Sequence, residues 1–349
     1  MPDQQVSQFL KQEQPKEFDF EQAVADARRD YPKQTANLTF IDTSAPDFAE
    51  KLEEFAKKAK LTSAQYNHIL KNAESATALA TEMNGHDLML IPVKREGEKQ
   101  SFPGDDYKSA YFCFQHELGH FVVKDAQGIG GGTGQYKENA ADSFAMIRGL
   151  QAGVFQKSDL LALADKRGQE MLMTMDFDHM TAMSLDAIAI NPKNIDFISL
   201  SPKEIAKVAE RHATTFGAGS RADSKFSKMQ GKHGYTTDEY GAVLPKVIEA
   251  KLLSLQEIAM SSPAKSQEFY IAARILNNVL ETGTIKLGGL EHKVDVNTDH
   301  WKDAKKALME KAGDRDIGGK KAQATVSLTR PEKKSAFARI VEPLKPMKI

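Results

Sequence analysis

Two histidines stand four residues apart in FQHELGHFVV (Phe114–Val123) with Glu117 between them, and a second pair, Glu138 and Asp142, stands four apart in ENAADSFA. On a helix, residues at that spacing share a face one turn apart, so His116 and His120 can aim both imidazoles at one metal ion. Glu117 is adjacent to the first histidine and three from the second, so its carboxylate hangs over the same place. It can accept a proton from water on that metal, whose pKa a zinc ion brings down to about 7. Two ligands do not complete such a site, because catalytic zinc takes three from the protein and leaves a position for water. A third histidine in the pattern HExxHxxGxxH is excluded, since Val123 and Ala126 occupy its glycine and histidine positions. Glu138 can serve as third ligand. Asp142, one turn later, can accept the free ring N–H of a ligating histidine and so fix its tautomer.

These side chains need two helices to carry them. Tyr111, Phe112, Phe114, Leu118, Phe121 and Val122 suit a buried helix around the histidines, and Ala140, Ala141, Phe144, Ala145 and Ile147 suit a second helix. Between them KDAQGIGGGTGQYK lets the chain reverse, and small Ala140 and Ala141 allow close approach. GIGGGTG lacks the Lys-Ser/Thr of a phosphate-binding loop and reads as linker or lid. Upstream, helix is expected around Glu21–Tyr31, NLTFID (Asn37–Asp42) reads as a strand, and APDFAEKLEEFAKKAKL and SAQYNHILKNAESATALATEM read as helices. NGHDLMLIPVK switches to strand, with Pro92 pointing to an edge position.

Downstream, SDLLALADKRGQEMLMTM is helical, and Ser201, Pro202 and Glu204 form a capping box that starts another helix. Thr236 and Glu239 repeat the device ahead of Pro245, expected to kink that helix. TIKLGGLEHKV reads as a hairpin turning on Gly288-Gly289, and a helix over Asp299–Ala312 precedes a basic tail. The expected fold class is α+β, mostly helical, with a small sheet and a helical C-terminal part. Its expected divisions are a polar arm (1–35), a catalytic domain (36–220), a helical subdomain with a hairpin (221–312) and a flexible basic tail (313–349).

HELGH followed by ENAAD resembles the gluzincins, the HExxH zinc peptidases whose third ligand is a glutamate. The likeness is greatest to the thermolysin-like enzymes and to the integral-membrane zinc peptidases whose second motif also ends in Ala-Asp. It covers about thirty residues of the chain. What the resemblance implies is a zincin-like core with one zinc held by His116, His120 and Glu138, and Glu117 as general base and later proton donor. It also implies an edge strand that binds a peptide or protein substrate as an added strand, for which DLMLIPVK is the candidate. The family adds a tyrosine or histidine that hydrogen-bonds the tetrahedral oxyanion. His179 is placed first for that role, with His212, His233, Tyr136, Tyr235 and Tyr240 as rivals.

Composition narrows the alternatives. Apolar content of 41% and charged content of 27% over 349 residues describe a globular chain rather than a disordered one. A net charge of -1 gives no general attraction to nucleic acid or membrane. The single cysteine, Cys113, excludes an internal disulfide and a cysteine-based zinc site, and it reads as an inert core residue. No apolar run approaches the ~20 residues of a membrane-spanning helix. The start, MPDQQVSQFLKQEQPKEF, lacks the basic-then-apolar order of a secretory signal. The expectation is a soluble, cytoplasmic zinc metallopeptidase, with a non-classical or effector export route as the variant. The competing expectations are a non-catalytic binding protein on a zincin scaffold, its zinc structural, or an effector protease with a single target.

Overall fold

A computed structural model describes residues 17–75, 78–94, 101–123, 134–174, 178–191, 194–217, 220–233, 245–287, 290–313, 315–317 and 320–321. The glycine-rich stretch 124–133, Thr236, Glu239, Tyr235, Tyr240, the Gly288-Gly289 turn and most of the basic tail lie outside them, as does the side chain of His233. Among the described residues the chain is mostly helical, with a three-stranded sheet and two small hairpins. No described helix is long and apolar enough to cross a membrane. The chain forms two compact units: 1–124, 144–156 and 197–206 make the first, and 125–143, 157–196 and 207–349 the second.

The first unit is built around the sheet of β1 (Leu38–Asp42), β2 (Leu79–Met83) and β3 (His86–Ile91), in the order β1-β3-β2. β1 runs parallel to β3 and β2 antiparallel to it. One face buries Ile41, Leu88 and Leu90 against Leu52 and Phe55 of α2 (Phe48–Ala59) and Ile69 of α3 (Ser63–Glu74), after α1 (Phe20–Asp30). α4 (Asp106–Val122) packs on β2 and β3, with Phe114 stacked on Phe40 at 6.0 Å. α3 opens with a capping box in which Thr62 and Gln65 bond reciprocally.

Two expectations are corrected here. The helical reading of Ser63–Met83 ends too late, because Leu79–Met83 is a strand paired with β3. The reason is the turn that follows: Asn84 and Gly85 both take positive φ (52° and 80°), the conformation that closes a two-residue hairpin. Asn84 also donates its Nδ2 to the Ala59 carbonyl (2.9 Å), closing the C-terminus of α2. The strand around DLMLI is central rather than an edge, flanked by β1 and β2. Pro92 lies just past Ile91, so its missing N–H removes no ladder bond. A central strand has no free edge, so β3 cannot take substrate as an added strand.

The second unit is helical. α5 (Gly134–Gln151) carries its first residues into this unit and Phe144–Gln151 into the first. It is followed by α6 (Lys157–Thr174), α7 (Ala182–Ile190), α8 (Pro202–Phe216, of which 202–206 belong to the first unit), α9 (Ser220–His233), α10 (Pro245–Ser261), α11 (Gln267–Thr282), the hairpin β4–β5 (Thr284–Leu287, Leu290–Lys293) and α12 (Asp299–Ala312). The core of this unit centres on α11, which buries Phe269, Tyr270, Ile271, Leu276 and Val279. Inside it Asp186 of α7 accepts from Tyr270 Oη (2.6 Å) and Arg274 Nε (2.7 Å), and Arg274 also bonds Asp165. Burial pushes the Asp186 carboxyl up, against the pull of Arg274.

The Ser201–Glu204 capping box forms as expected, Glu204 Oε2 accepting from Ser201 N at 2.8 Å. α10 is described from Pro245 onward, and the expected kink depends on residues 234–244, which lie outside the described residues. The first residues assigned to the tail pair as β6–β7 (Asp316–Ile317 with Lys320–Lys321), and Ile317 is buried.

Two measurements check this packing. A Cβ built on Gly149 of α5 would stand 1.9 Å from Cδ2 of Phe155, whose buried ring is stacked on Phe102. Gly149→Ala should therefore destabilise by about 1–3 kcal/mol despite alanine's better helix propensity, read as a lower urea midpoint. Lys251 is fully buried, with Nζ donating to the Leu172 carbonyl at 3.0 Å. Burial lowers its pKa from 10.5 to about 8. Below the folded value both states carry the charge, and the cost of burying it is present in full. Between the two values the unfolded chain binds more protons, so this group makes stability rise with pH. Urea unfolding from pH 7 to 10 should show a slope that Lys251→Met flattens.

Candidate metal centre

α4 is positioned before any metal is considered. Asp105 caps it by accepting from Lys108 N (2.9 Å), and the Ser109 hydroxyl bonds both the N–H and the carbonyl of Phe102 (3.0 Å each). Phe114 sits among Phe18, Phe20 and Phe40, which fixes the rotation of the helix about its axis. His116 and Glu117 are buried and His120 is half-buried. The two imidazoles stand at 4.9 Å between centroids and nearly perpendicular, with Nε2 of each 3.3 Å from the other. Two ligands at ~2.05 Å from a tetrahedral zinc stand about 3.3 Å apart. The shared helical face expected from the spacing therefore brings the ring nitrogens to a separation one ion can bridge.

The first turns of α5 are held by the segment 178–184, which leads into α7. Ser184 Oγ donates to Asn139 Oδ1 (2.6 Å), and Thr181 Oγ1 donates to Asp142 Oδ2 (2.5 Å). Gly134 leaves room for Asp178, whose carboxylate a Cβ there would meet at 2.5 Å. In the same segment His179 Nε2 lies 3.2 Å from Glu138 Oε2. Asp142 is fully buried and receives the guanidinium of Arg167 on both oxygens, Nη2 to Oδ1 at 2.9 Å and Nε to Oδ2 at 3.0 Å. Burial alone would lower the Arg167 pKa, but the charges of Asp142, Glu170 and Glu138 outweigh it and hold the group charged.

Each unit offers a pair of potential metal donors: Nε2 of His116 and of His120 in the first, 3.3 Å apart, and Glu138 Oε2 with His179 Nε2 in the second, 3.2 Å apart. Imidazole and carboxylate are donors that zinc takes, and also donors for other divalent transition metals. His116, His120 and Glu138 are the ones among them that the sequence leads one to expect as ligands. His179, expected as an oxyanion donor, stands beside Glu138 and is also a potential ligand.

Of the rivals to His179, His212 on α8 bonds the Val208 carbonyl through Nδ1 at 2.9 Å, and the Tyr136 hydroxyl lies 3.1 Å from Thr214 Oγ1. Arg167 and Thr181, the partners of Asp142, escape a reading of the sequence. They come from distant parts of the chain, and no local spacing marks them.

Compared with family models, with curated proteins and with solved structures, the chain gives no match. Its chemistry is therefore inferred from these side chains. Arg167→Leu should leave Asp142 buried without its counter-charge and destabilise the chain by about 3–5 kcal/mol in urea unfolding. Thr181→Val, removing one hydrogen bond to the same carboxylate, should cost about 1–3 kcal/mol.

Proposed function

We propose that this chain is a zinc-dependent hydrolase acting on peptide amides. The observation that carries this reading is the 3.3 Å approach of His116 Nε2 to His120 Nε2 on a buried helix, with Glu117 beside them. Glu138 adds the carboxylate that completes a three-ligand set, and the likeness of HELGH and ENAAD to the gluzincin motifs supports the same assignment. Zinc held there would supply Lewis acidity towards a carbonyl oxygen and a lowered pKa for water.

The remaining work falls to the chain's own groups. Glu117 takes the proton of the attacking water and hands it to the leaving amine, so one carboxylate serves as base and then acid. His179 donates to the oxyanion that forms on the scissile carbonyl. Arg167 and Thr181 hold Asp142, and through it the turn of α5 on which Glu138 stands.

A second reading has an observation of its own. His179 Nε2 is 3.2 Å from Glu138 Oε2, close enough for both to bind one ion. As a fourth protein ligand it would close the site, and a closed zinc site is structural rather than catalytic.

One set of variants separates the two. Zinc content and cleavage of a complex peptide mixture are measured by mass spectrometry for the wild type, Glu117→Gln, Glu138→Ala and His179→Ala. The hydrolase reading expects Glu117→Gln to keep zinc and lose about 10²–10⁴-fold in rate, and Glu138→Ala to lose zinc. His179→Ala should keep zinc and lower kcat. Loss of zinc from His179→Ala, with no cleavage by the wild type, would support the structural reading. Cleavage by Glu117→Gln at the wild-type rate would sink the mechanism.

A further inference from the structure

A groove of about 740 Å³ lies in the second unit, lined by the start of α10, by β5 and the segment after it, and by the start of α12. His116, His120, Glu138 and His179 are not among its lining residues. Its apolar lining includes Ile248, Val294 and Trp301, together with Leu253. Leu253 is 42% exposed, one of two large hydrophobic side chains so exposed among the described residues.

The wall formed by β5 has a particular character. β5 pairs with β4 along one edge, in the register Thr284–Lys293 to Leu287–Leu290. Among the described residues no backbone hydrogen bond beyond that hairpin engages Glu291, His292 or Lys293. A strand edge beside an apolar trough is the arrangement that accepts an extended peptide, with main-chain bonds giving affinity and pockets reading alternate side chains.

Charge then selects the occupant. Glu249, Glu291 and Asp295 line the groove and are exposed, against one cation among the described lining residues, Lys293. None of the three carboxylates takes part in an ion pair among the described residues. Such a rim repels nucleic acid and acidic segments and favours Lys- or Arg-bearing ones, which it also steers during encounter.

We propose that this groove docks an extended basic peptide segment, added as a strand to β5 with its cationic side chains against Glu249, Glu291 and Asp295. The groove uses none of the proposed metal ligands and would serve either to hold a protein substrate or to bind a partner that is not cleaved. Both uses demand the same ligand chemistry.

The test uses the full chain and a fluorescent, end-blocked heptapeptide alternating Lys and Val. It is compared with the same peptide carrying Glu for Lys, and with a Lys peptide N-methylated at alternate residues. Anisotropy at low salt should show the Lys peptide binding about tenfold or more tighter than the Glu peptide. That preference should vanish in a variant carrying Glu249→Lys, Glu291→Lys and Asp295→Lys. All three positions are exposed, and a thermal melt checks the fold, with Glu291→Gln alone as the milder version. N-methylation should weaken binding by about tenfold or more, because it removes the donors a strand edge needs.

Equal affinity for the two charge types, or a preference unmoved by the substitutions, would overturn the proposal. So would undiminished binding of the N-methylated peptide, or no binding of the Lys peptide at all.

Discussion

A carboxylate taken wholly out of water has to be matched by donors and counter-charge, and Asp142 is such a group in the middle of the site sequence. Its two oxygens receive the fork of Arg167 and the hydroxyl of Thr181. The bidentate geometry ties α6 to the early turns of α5, and the threonine bond ties in the segment that carries His179. Glu138 stands one turn before Asp142, so its direction is set by the same bonds. Deep ion pairs of this kind add little net stability over a well-packed apolar alternative, but breaking one is costly. What this arrangement provides is a fixed direction for the neighbouring Glu138 carboxylate, of the kind that the partners of metal-binding groups supply.

The same logic operates on α4 by different means, through aromatic packing. Phe114 contacts rings from the segment before α1, from α1 and from β1, and Ser109 pins the loop that precedes the helix. The helix that carries His116 and His120 is thus oriented by apolar shape, and the turn of α5 that carries Glu138 by buried charge. Rotation about a helix axis is hard to prevent with a single hydrogen bond, whereas a large ring wedged among others prevents it sterically.

How much of this can be read from the sequence depends on the range of the interaction. The mostly helical α+β class, the capping box at Ser201, the helix over Asp299–Ala312 and the shared face of His116 and His120 are set within four residues, and each is legible. β2 reads as helix because Leu79–Met83 is short and its identity comes from pairing across the Asn84-Gly85 turn. β3 reads as an edge only if its proline lies inside the strand, whereas Pro92 falls one residue past it. Arg167 and Thr181 are invisible to such a reading, since nothing near either residue announces a partner at position 142. His179 lies between these cases: its chemistry is recognisable, but its distance to Glu138 is a tertiary fact.

The close fit of Gly149 against the Phe155 ring bears on how the sequence can diverge. The two positions are joined by a space of fixed size, so neither can drift alone: any side chain at 149 must be met by a smaller one at 155. Across related chains the pair should therefore vary in concert, glycine with an aromatic or alanine with a shorter aliphatic. That covariation would trace the docking of this helix where overall sequence likeness has faded below detection.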